Sequence, residues 1–66
     1  MNTPWIIEFF DQTGRRITGT TSKELDIIPR ENESIELERK IYKVAHVLYR
    51  PYFRKIRIIC QQEIVQ

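Results

Sequence analysis

Nine consecutive residues, Tyr49-Arg50-Pro51-Tyr52-Phe53-Arg54-Lys55-Ile56-Arg57, carry four cations, three aromatic rings and no acid. Flat rings stack on the faces of unpaired bases, and guanidinium or ammonium groups neutralise phosphates. The composition therefore suits an anionic, ring-bearing ligand, and single-stranded nucleic acid or a nucleotide fits it equally. In that role Arg50, Arg54, Lys55 and Arg57 would meet phosphates, while Tyr49, Tyr52 and Phe53 would offer stacking faces. Two plainer readings compete. Tyr52 and Phe53 could fold back to cap a small core, with the cations solvated around them. An Arg/Tyr-rich loop is also the composition of a protein–protein hot spot.

Charge is distributed unevenly along the chain. Residues 1–38 hold four basic and eight acidic side chains, a net of −4, whereas residues 39–66 hold seven basic and one acidic, a net of +6. The overall charge of +2 conceals this asymmetry, which points to an anionic partner for the second half. The other cations read more simply. Arg39 and Lys40 with Lys43, beside Glu36 and Glu38, are expected to be solvated turn and strand charges, and Arg15 and Arg16 likewise, with Asp11 as the partner of Arg15.

Little else in the chain could do chemistry. His46 is the only imidazole and Cys60 the only thiol, so no disulfide within the chain and no four-ligand Cys/His metal site can be assembled. His46 shares the parity of Tyr42 and Val44, which would point it inward or towards the end of a barrel. Cys60 lies on the apolar parity with Ile56 and Ile58 and is expected to be a buried, inert thiol. Glu31, Glu33, Glu36 and Glu38 lack the internal glycine of a calcium loop and read as a solubilising strand face. Glycine-rich phosphate cradles, nucleophile elbows and metal-binding His/Glu motifs are absent from the sequence. The expectation is a non-enzymatic protein with no cofactor.

The elements that would position these groups are strands. Trp5, Ile7 and Phe9 alternate with Ile6, Glu8 and Phe10 in a run rich in β-branched and aromatic residues, and Asp11-Gln12-Thr13-Gly14 is a turn signal. A three-residue loop over 12–14 predicts that Asp11 faces Arg15, Phe9 faces Ile17 and Ile7 faces Gly19, with Trp5, Ile7, Phe9 and Ile17 on one face. Residues 20–29 read as a crossover loop with one short turn, because Thr21 and Glu24 have capping-box spacing and Pro29 forbids a long helix. A second hairpin closes around 38–41 and predicts that Leu37 faces Tyr42, Glu36 faces Lys43 and Ile35 faces Val44. Val44 and Val47 fall on opposite parities, so the following strand needs a bulge before Pro51 ends it. Ile56, Ile58 and Cys60 alternate in a last strand with Val65 as its outer limit. On these parities Ile6, Phe10, Val47 and Ile59 point away from the core, and an apolar patch of Ile6, Phe10 and Ile59 would mark a partner or self-association surface.

Residues 1–66 thus read as a single all-β domain: a small five-stranded antiparallel barrel or strongly bent sheet built from two hairpins and a C-terminal strand. The arrangement is similar to SH3-like barrels, with an OB-like arrangement second, and a fold of either kind carries no activity by itself. With 66 residues and no staple, the chain is near the lower size limit for independent folding, which makes a homo-oligomer one expectation. Its N-terminus has no positive region before the apolar run, and no stretch approaches the ~20 apolar residues of a membrane span. A soluble, cytoplasmic binding module follows, with nucleic acid, a nucleotide or a protein as partner and no membrane.

Overall fold

The alternation of apolar and polar residues becomes five strands in the computed structural model, which describes residues 3–63. They are β1 (Ile6–Asp11), β2 (Arg16–Thr21), β3 (Ser34–Leu37), β4 (Lys40–Arg50) and β5 (Lys55–Gln62), with one 3₁₀ turn, Pro51–Phe53, between β4 and β5. They form one sheet in the order β2-β1-β5-β4-β3, curled into a half-barrel. The all-β bent sheet expected from the periodicity is therefore the fold. Three of the four pairings are antiparallel, but β1 and β5 run parallel, with Ile7 beside Ile56 and Phe9 beside Ile58. Hairpin periodicity carries no information about that contact, which joins the two ends of the chain.

The core lies on one face of the sheet. Ile7, Phe9, Tyr42, Val44, Ile56, Ile58 and Cys60 are buried, and among the described residues no polar or charged one is. Because β2 and β3 are the opposite edges, the chain between them must cross the whole sheet. It does so over the core face, where Leu25 and Ile28 pack against the buried cluster and Pro29 is itself buried. The crossover contains the expected single turn, with the Glu24 and Leu25 amides both donating to the Thr21 carbonyl at 3.1 and 3.0 Å. A half-closed sheet thus gains a second layer from a loop rather than from further strands.

Both hairpins form, each with a register that differs from expectation. In the first, Asp11 does face Arg15, its amide donating to the Arg15 carbonyl at 2.9 Å. A bulge at Ile17 then sets Phe10 opposite Arg16 but Phe9 opposite Thr18, and Ile7 faces Thr20 rather than Gly19. The extra residue brings Ile17 to the core alongside Trp5, as the pattern requires. The loop itself is closed by Asp11, whose carboxylate accepts from the Thr13 amide at 2.9 Å, the Thr13 hydroxyl at 2.6 Å and the Arg15 amide at 3.0 Å. Asp11 thus meets the backbone of Arg15. The Thr13 hydroxyl is the chief cause of a carboxyl pKa held below its ordinary value.

The second hairpin is tighter than expected. Glu38 and Arg39 alone form its loop, at φ 52° and 67°, so Leu37 faces Lys40, Ile35 faces Tyr42 and Glu36 faces Ile41. Two successive positive φ values are the signature of a type I′ turn, which the right-handed twist of paired strands favours. The shift is two residues, so each side chain keeps its face, but the Glu36–Lys43 cross-strand pair is replaced by Ser34 opposite Lys43.

The bulge anticipated in β4 is present at Ala45: Val44 pairs with Cys60 and His46 with Ile59. It reverses parity beyond that point. Val47 accordingly packs towards the core and His46 is exposed, the opposite of what uninterrupted alternation predicts for each. His46 Nδ1 lies 3.6 Å from Glu31 Oε1 on the surface. Cys60 is fully buried, and burial pushes its thiol up to about 11. The expected extension of the last strand to Val65 lies outside the described residues. Among those residues, no helix is long and apolar enough to cross a membrane.

Candidate functional site

The connection from β4 to β5 is short because its ends are paired, Arg50 with Lys55. Pro51 opens the 3₁₀ turn, where its missing amide and fixed φ cost nothing. Arg54 closes it in the left-handed conformation at φ 52°, its amide donating to the Pro51 carbonyl at 3.1 Å. Four residues wound this tightly have no room to fold their side chains back. Tyr52 is 97% exposed and Phe53 62% exposed, while Tyr49 at the end of β4 is 57% exposed. The reading in which Tyr52 and Phe53 cap the core is thereby excluded.

The cations are arranged around these rings. The Arg50 guanidinium lies over Phe53 at 4.6 Å, and that of Arg54 lies over Trp5 at 5.7 Å. Arg54 Nε also donates to the Thr3 carbonyl at 3.2 Å, and Nη2 donates to the same oxygen. Lys55 and Arg57 follow on the outer face of β5, opposite the buried parity of Ile56 and Ile58. Arg57 sits over Phe10 at 4.9 Å, and its Nε is buried without a hydrogen-bond partner. Only two ion pairs occur among the described residues, Glu8 with Arg16 and Glu31 with His46. Arg50, Arg54, Lys55 and Arg57 are thus not neutralised by the acids of 31–38.

The fold adds groups that no reading of 49–57 could include. Parallel pairing of β1 with β5 sets Ile6 beside Lys55 and its amide on the Arg54 carbonyl at 2.9 Å. This carries Trp5 to the base of the loop. On the other side of β1, Ile6 pairs with Thr21, and Trp5 and Ser22 exchange hydrogen bonds: the Trp5 amide to Ser22 Oγ and the Ser22 amide to the Trp5 carbonyl, each 2.9 Å. An open cleft of about 620 Å³ results, lined by Thr3, Pro4, Trp5, Ser22, Lys23 and Arg54. Trp5 and Lys23 escape a sequence reading because they lie far from the loop in the chain. Lys23 in particular occupies an ordinary polar turn.

Of the seven residues singled out in the sequence, Tyr49, Arg50, Tyr52, Phe53, Arg54 and Lys55 gather at one end of the sheet. Arg57 stands one row further along the outer face. The expected outer apolar group is divided: Phe10 lies beside Ile59, but the Glu8–Arg57 row separates them from the exposed Ile6, and Arg57 sits over the Phe10 ring. No three His, Cys, Asp or Glu side chains among the described residues are grouped so as to hold a metal. No protein-family model matches the chain, and no curated protein or solved structure matches it either.

Proposed function

We propose that this protein is a non-enzymatic binding module whose sheet end, formed by Tyr49–Lys55 with Arg57, engages a polyanion, single-stranded nucleic acid first. The observation that carries the reading is the pairing of solvent-facing rings with cations that have no carboxylate partner among the described residues. Rings on an exposed turn cost the fold apolar burial, and they offer sequence-tolerant stacking in return. The buried single thiol is in keeping with a cytoplasmic setting.

Fluorescence anisotropy of labelled single-stranded oligonucleotides tests the reading. The intact protein should bind at low salt, and the Arg54→Glu/Lys55→Glu variant should bind at least about tenfold more weakly. An anisotropy that stays flat with the intact protein at low salt refutes it.

One observation favours a second reading, a protein–protein module. The sheet is open, with β2 and β3 as its edges, neither paired on its outer side among the described residues, and such edges accept an added strand from a partner or a second copy. Recovery of one stoichiometric protein partner, unaffected by nuclease, would favour it over the first.

A further inference from the structure

The cleft beside the loop is built from three separate stretches of chain and has a consistent chemistry. Lys23 and Arg54 supply two cations, Trp5 supplies an aromatic wall, and no acid is among its lining residues. The nearest acidic neighbour in sequence, Glu24, is turned to the Thr20 hydroxyl, 3.2 Å away. The parts are held before any ligand arrives. Arg54 is fixed by the Thr3 carbonyl and the Trp5 ring, and the reciprocal Trp5–Ser22 bonds fix the floor. Ser22 Oγ accepts from the Trp5 amide, and as a hydroxyl it keeps one proton to donate. A guanidinium, an ammonium and a hydroxyl lining one open cleft without an acid among its lining residues form a donor set for a phosphate oxygen.

We propose that this cleft is a phosphate subsite: Lys23 and Arg54 grip one phosphodiester group of a bound single strand, whose neighbouring bases stack on Tyr52 and Phe53. The proposal rests on the polyanion reading above and extends its footprint to the turn that follows β2, outside residues 49–57. It identifies Lys23 as a binding residue and makes Trp5 a reporter, since Trp5 is the only tryptophan of the chain.

The test follows two signals during titration with a labelled oligothymidylate: anisotropy of the label and emission of Trp5. Lys23→Ala is compared with Lys40→Ala, which removes an equal charge at the far end of the sheet, beside Glu38 and Asp11. Trp5 emission should change with the same midpoint as the anisotropy. Lys23→Ala should weaken binding about five- to tenfold at 50 mM salt and make the slope of log K against log salt shallower by about 0.7, one single-strand phosphate contact. Lys40→Ala should stay within about twofold. If anisotropy rises while Trp5 emission does not move, or if the two variants behave alike, the subsite is overturned and the polyanion reading stands. If anisotropy is flat, both fall together.

Discussion

Tyr52 and Phe53 show how a residue's neighbours decide what it is for. Aromatic side chains in a domain this small are ordinarily its best source of apolar burial, yet here Pro51 and the left-handed Arg54 pull both rings out of reach of the core. Truncating them should therefore leave stability almost unchanged. Tyr52→Ala and Phe53→Ala are each expected to melt within a degree or two of the intact protein, while oligonucleotide affinity drops by about 1–3 kcal/mol per lost stacking face. Thermal melting followed by circular dichroism, set beside anisotropy, separates the two effects. A large fall in melting temperature with unchanged affinity would restore the rings to a structural role. Composition alone made these residues candidates, since four cations and three rings without an acid are visible in the sequence. Exposure was not visible, because it depends on the winding of the turn.

Among the elements, the strands that alternate cleanly were the most legible. Ile7 and Phe9 in β1 and Ile56, Ile58 and Cys60 in β5 are buried as their parity requires, and the conflict between Val44 and Val47 correctly demanded a bulge. Register was harder to read. The Ile17 bulge leaves the faces of Trp5, Ile7, Phe9 and Ile17 as they would be without it, so the hydrophobic pattern does not reveal the shift. The second turn lacks the Asn-Gly or Asp-Gly pair that normally announces a two-residue loop. Glu38 and Arg39 instead hold positive φ against the steric preference of L-residues. Glu38→Asn/Arg39→Gly should relieve that cost and raise stability by about 1 kcal/mol, read as a higher urea midpoint at constant m. A lowered midpoint would mean that the two side chains contribute more than their backbone conformation costs.

At the scale of the whole molecule, the uneven charge along the chain becomes a surface. The acids of 31–38 do not fold onto the cations of 50–57; they lie in the β3 hairpin and its approach, at one edge of the sheet, while β5 lies at its centre. A ligand held by the four loop cations alone should release enough counterions to give a salt slope near −2.8, or about fiftyfold weaker binding between 50 and 200 mM salt. A loss below about threefold over that range would show that the cations do not meet phosphates.

The residues alone committed the chain to strands, placed the buried faces of β1 and β5 and marked 49–57, because apolar alternation and local charge are properties of neighbours in sequence. Tertiary pairing had to supply the rest. Alignment of the first strand with the last pairs residues 49 apart in the chain, from Ile6 with Lys55 onward, and no local pattern encodes it. That contact brings Trp5 to Arg54, the β1–β2 pairing carries Lys23 with it, and together they turn a basic loop into a cleft with walls.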